Sequence, residues 1–139
     1  MTNAIDRYLP YALAAGFAFF GVQKFGAENL VFEIIAERSG LFVFEPYVRI
    51  LTGLAELAVA ALLAVPMARS RLLGGLLGTG IVGGAIAFHL SPWLGVVVPG
   101  IGIGLFLTAL VLFAATAAYT LRAARAEFAS EPLTSPLPA

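Results

Sequence analysis

The stretch Arg49-Ile-Leu-Thr-Gly-Leu-Ala-Glu56-Leu-Ala-Val-Ala-Ala-Leu-Leu-Ala-Val-Pro66 decides how this chain is built. It is apolar and long enough to cross a bilayer, and near its middle it carries one carboxylate, Glu56. A charge at that depth costs about 2.5–3.5 kcal/mol on insertion scales, and several kcal/mol or more in simulation. Three arrangements can offset such a cost: a protein partner, a water-filled cavity, or a proton on the acid. Arg49 precedes Glu56 by two helical turns, roughly 10 Å along the axis and on the same face.

The rest of the chain agrees with a membrane reading. A soluble domain holds about 45–50% apolar residues. This chain of 139 residues holds 60%, with 12% charged residues and a mean hydropathy of +0.97. Eight basic and eight acidic residues cancel, so no electrostatic footprint for nucleic acid exists. The absence of cysteine removes disulfides, thiolate metal sites and thiol redox pairs. With His89 as its single histidine, one chain cannot supply two imidazoles to a haem, and no metal site is expected.

Four apolar runs read as spans at about 8–25, 47–66, 72–90 and 95–119. Pro10 is tolerated in the first turn of the first, which reads as a retained span and not a signal peptide. Between spans one and two, Asn29, Glu33 and Glu37 recur every four residues, with Leu30, Val31, Ile34 and Ile35 on the other side. That pattern predicts a short amphipathic helix on the membrane surface, closed by Ser39-Gly40. In span three, Gly74/Gly78 and Gly80/Gly84 are small-xxx-small pairs that permit close helix approach. The expected fold is therefore all-α: an integral membrane four-helix bundle over residues 1–125, with a surface helix between helices 1 and 2. Residues 126–139 read as a disordered cytoplasmic tail.

Lys24, Arg49, Glu56 and His89 come from three helices and fall in the same half of this bundle. They are the candidates for ligand binding or a proton relay. Each has a plainer reading: Lys24 and Arg49 suit snorkelling anchors at helix ends, His89 suits a hydrogen-bonded packing residue, and Glu56 suits a structural ion pair. No nucleotide-binding or catalytic motif is present.

Three short motifs in order resemble the DoxX-like small membrane proteins, including their reactive-chlorine-resistance membrane protein C type. They are Phe20-Gly-Val-Gln-Lys-Phe-Gly-Ala-Glu28, Gly53-Leu-Ala-Glu56 and Ala87-Phe-His89-Leu. The resemblance implies a four-helix membrane protein and points to Lys24, Glu56 and His89. It also implies a quinone-interacting redox or oxidative-stress-defence subunit with no tightly bound cofactor, quinone being the candidate ligand and a redox protein the candidate partner. The other readings are a small-solute or proton transporter, a non-catalytic membrane scaffold, and a homo-oligomer of either.

Arg7, Arg69, Arg71, Arg122 and Arg125 lie on one side of the expected bundle; Lys24, Arg38 and Arg49 lie on the other. The positive-inside rule then puts both termini in the cytoplasm of a bacterial inner membrane. Cysteine labelling in intact cells checks this: Ala27→Cys should react with an impermeant reagent from outside and Ser70→Cys only from inside, and the opposite pattern would invert the topology.

Overall fold

The computed structural model describes residues 4–130. It is all-helical: α1 (Ala4–Gln23), α2 (Leu30–Ser39), a 3-10 turn (Phe42–Phe44), α3 (Tyr47–Ala64), α4 (Ala68–Leu90) and α5 (Gly104–Ser130). The only strand-like pairing among the described residues is an isolated antiparallel bridge between Val98 and Gly102. Three segments are long and apolar enough to cross a membrane: Phe42–Ala64, Ala68–Leu90 and Gly104–Ala129. The expected first span falls in α1, which has Asp6, Arg7 and Gln23 within its bounds and is not among the three.

The long helices run alternately up and down. α1 packs along α3, α3 along α4 and α4 along α5, whereas α1 and α5 touch only lightly. The core lies on the shared axis, where Phe17, Val59 and Leu63 are fully enclosed and Leu13, Val82 and Tyr119 close around them. Between helices in lipid, water exclusion contributes little, so closeness of approach decides association. Glycine supplies it. A Cβ added at Gly78 would lie 2.8 Å from Phe17 Cζ and 3.1 Å from Val59 Cγ1, and one added at Gly74 would lie 2.9 Å from Leu62 Cβ. Gly80 and Gly84 behave differently from the expectation. A Cβ at either would meet nothing within 4 Å, because that side of α4 borders a cavity instead of a helix.

Other boundaries also shift. α1 begins before residue 8, so Pro10 sits inside the helix and not in its first turn. The expected fourth span starts at Gly104, not at 95, because Gly95, Gly100 and Gly102 all take φ values near +80°. A right-handed helix excludes that backbone, and glycine adopts it without steric cost. At its far end α5 continues through 126–130. The remainder of the expected tail lies outside the described residues.

The freed segment 91–103 and the connection between α1 and α3 cover the same end of the assembly. Ile34 and Ile35 of α2 pack with Leu94 and Val98 in a second small core, flanked by Val31, Phe44 and Phe88. Asn29 is not part of a polar face but the N-cap of α2, its side-chain oxygen accepting from Phe32 N at 3.5 Å. Gly40, at φ 71°, ends the helix in the left-handed conformation usual at such a stop.

The glycine contrast is testable by unfolding in detergent. Gly78→Ala overpacks a buried contact and should cost about 1–3 kcal/mol. Gly80→Ala meets no neighbour and should be neutral or stabilising by up to about 1 kcal/mol, the helix preference of Ala over Gly. Equal effects at the two positions would contradict the packing described for α4.

Candidate functional site

Just under the covered end lies a cavity of about 720 Å³. α1, α3, α4 and α5 form its walls, and Leu30, Val31, Phe32, Ile35, Leu94 and Ile101 form its roof. Polar groups at its edge include Gln23, Lys24, Thr52, Glu56 and His89. Of the four candidate residues, the fold brings Lys24, Glu56 and His89 to this cavity; Arg49 is not in its lining.

Glu56 lies on the buried stripe of α3, in register with Arg49, Gly53, Ala60 and Leu63. Its partner is Lys24. Nζ donates to Oε1 at 3.0 Å and lies 2.8 Å from Oε2. The second contact is close but misaligned for a hydrogen bond, so Oε2 is a buried acceptor without a directional donor. Nζ also donates to Phe20 O at 3.3 Å. About nine-tenths of each side chain is covered, 14% of Lys24 and 10% of Glu56 remaining exposed. In such a setting the attraction between the charges is opposed by a large desolvation cost, and removing one partner strands the other.

Two glycines let the pair form. A Cβ at Gly53 would sit 2.9 Å from Lys24 Cβ and 3.0 Å from Gly21 O. One at Gly21 would lie 3.1 Å from Gly53 O and 3.2 Å from Glu56 Cβ. The backbones of α1 and α3 therefore touch at the level of the ion pair. Gly21 and Gly53 were conspicuous in the sequence only as parts of two separate motifs; their role becomes legible once α1 is laid against α3.

Arg49 acts one step away. It is 4% exposed. Its guanidinium donates through Nη1 to Lys24 O and to Gly26 O (2.7 Å), and through Nε to Glu45 Oε1 (2.7 Å). Both carbonyls lie in the turn just past α1, whose own last carbonyls accept from the backbone N–H groups of Lys24, Phe25 and Gly26. A planar fork with several fixed donors suits this task better than an ammonium. Arg49 thus fastens the end of α1, and with it the backbone of Lys24, to the start of α3.

His89 is 5% exposed and not bonded to Glu56. Its Nδ1 lies 2.9 Å from Gly95 O, and Phe106 meets the ring edge-on with centroids 5.5 Å apart. A carbonyl only accepts, so Nδ1 carries the proton, and in the neutral ring Nε2 is an acceptor. Among the described residues no group of His, Asp or Glu is arranged to hold a metal ion.

No family model matches the chain, and no curated protein or solved structure matches it either.

A double-mutant cycle tests the pair. Lys24→Met and Glu56→Leu should each cost about 3–5 kcal/mol, since each leaves a buried charge without its partner. The double variant should recover most of that loss, giving a coupling energy of a kcal/mol or more in denaturation. Strictly additive losses would show that the two side chains do not sense each other.

Proposed function

We propose that this chain is a DoxX-like integral membrane protein whose cavity binds the headgroup of a membrane quinone. In this reading all four long helices span the membrane, both termini face the cytoplasm of a bacterial inner membrane, and α2 lies along the outer surface. A redox protein then exchanges electrons with the bound quinone. The observation that carries the proposal is a cavity of about 720 Å³ with mainly apolar walls, bordered by the Lys24–Glu56 ion pair and His89, with Gln23, Glu28, Asn29, Thr52 and Thr108 as its other polar side chains.

The volume lies within the range of about 300–1,000 Å³ usual for small-molecule sites, which combine apolar walls with a few placed polar groups. A quinone ring is flat and apolar and carries an oxygen at each end. Lys24 Nζ directs two hydrogen bonds to Glu56 Oε1 and Phe20 O, which leaves a third proton to offer a ligand carbonyl. His89 Nε2 accepts, which suits the hydroxyl of a quinol. One donor and one acceptor thus match the two states between which a quinone cycles, and Glu56 beside Lys24 provides a place for the proton to go.

Two features favour binding over transport. The interior beyond Glu56 is closed by Phe17, Val59 and Leu63, and the hydroxyls of the buried Thr116 and Thr120 there are turned back onto carbonyls of α5. Among the described residues, the buried charged side chains and His89 also lie toward one end, whereas transport needs a path that opens to both. A scaffold role draws less support, because Gly80 and Gly84 border the cavity and leave less of the glycine face free for a partner helix.

Purification in native lipid should recover about one quinone per chain, and a quinone analogue should bind the protein in nanodiscs. His89→Phe removes one hydrogen bond of about 0.5–1.5 kcal/mol, so the quinol form should lose a few-fold to about tenfold in affinity and the quinone form less. Wild-type protein that carries no quinone and binds none would overturn the proposal.

A further inference from the structure

We infer that the seam between α1 and α5 is a lateral passage through which the cavity exchanges its ligand with the bilayer. The inference rests on the quinone reading and narrows it: the ligand is a long-tailed membrane quinone, its ring in the cavity and its hydrocarbon tail in the seam.

The seam is where the helix assembly is thinnest. α1 is packed along α3 and α5 along α4, but α1 and α5 meet only lightly. They approach at Gly16, where an added Cβ would lie 4.0 Å from Leu112 Cδ1. One turn closer to the covered end, the same face of α1 carries Phe20, which is half-buried. Outside it runs a shallow groove of about 390 Å³ lined by Phe20, Leu107, Thr108, Val111, Leu112 and Ala115. Phe20, Thr108 and Leu112 also line the cavity, so a wall of three side chains separates the two spaces.

The chemistry of this wall suits a hydrocarbon. No charged residue lines the groove, and Thr108 turns its hydroxyl back onto Gly104 O at 2.9 Å. Leu107 and Val111, exposed to 50% and 71%, lie on its outer lip. The other approach to the cavity is roofed by α2 and the segment 94–101, which pack on each other through Ile34, Ile35, Leu94 and Val98. At the seam, rotation of the half-buried Phe20, a side chain shared by groove and cavity, is the movement this passage requires. Lys24 lies one turn nearer the covered end than Phe20 on α1, and its Nζ reaches back to Phe20 O and across to Glu56 on α3. A headgroup drawn to them leaves its tail pointing at the seam.

The test uses the full chain in proteoliposomes and two probes: a tail-less, water-soluble benzoquinone and a quinone with a ten-carbon tail. Val111→Trp fills the groove from a position that lines only the groove. It should slow exchange of the tailed probe about tenfold, because dissociation and association share the blocked path, and leave the affinity of the tail-less probe unchanged. Phe20→Ala should speed exchange of the tailed probe. If both probes bind wild type and Val111→Trp alters neither, or slows both equally, the passage is refuted and the binding site stands. If Val111→Trp instead converts a dimer to a monomer with exchange unchanged, the seam belongs to a second copy of the chain and the passage is again refuted. If neither probe binds wild type, the quinone reading and the passage fall together.

Discussion

A lysine ammonium and a glutamate carboxylate 2.8 Å apart, about nine-tenths covered inside an apolar helix assembly, constrain everything around them. Neither charge is tolerable there alone. Together they require α1 and α3 to approach at one level and in one register. Gly21 and Gly53 make the approach possible by presenting bare backbone to each other. Arg49 makes it stay, because from the first turn of α3 its guanidinium holds the carbonyls of Lys24 and Gly26, just past α1, together with the Glu45 carboxylate just before α3. The two charge clusters divide the labour: the outer one holds helix ends together, and the inner one faces the cavity.

The cavity exists because other elements decline to fill that space. Gly80 and Gly84 withdraw side-chain volume from α4. The segment 91–103 leaves the helical path at glycines with positive φ and turns its apolar residues onto α2. The same segment supplies Gly95 O, which fixes the proton on Nδ1 of His89. A backbone carbonyl thereby sets whether the histidine presents a donor or an acceptor to the cavity, a choice no property of the imidazole makes by itself.

Much of this was legible in the residues. Composition and four apolar runs imply an all-helical membrane protein, because continuous apolar runs of this length satisfy their backbone in lipid as helices, whereas barrel strands alternate apolar and polar residues. The spacing of Arg49 and Glu56 places both on one helix face, and the expense of an isolated intramembrane carboxylate demands a partner, a water-filled cavity or a proton for Glu56. Lys24 and His89 both qualified by position along their helices.

Which of them partners Glu56 was settled only by the tertiary structure. Helical spacing gives the level of a side chain and its face, but not the rotation of one helix against another, and that rotation turns Lys24 to Glu56, while His89 is taken up by Gly95 O in the turn that follows α4. The same limit applies to the glycines. Gly74, Gly78, Gly80 and Gly84 look alike along α4, yet 3.6 residues per turn sends the first two into α3 and the core and the last two toward open space. It applies also to the segment 95–103, whose apolar residues suit a span until the backbone shows that Gly95, Gly100 and Gly102 have turned it into a roof. Sequence by itself determined the all-helical class, the apolar runs long enough to span a membrane and the need to offset a buried carboxylate. The three-dimensional packing decided which charge answers Glu56, where the empty volume lies and what each polar group shows to it, because those depend on contacts between helices distant along the chain.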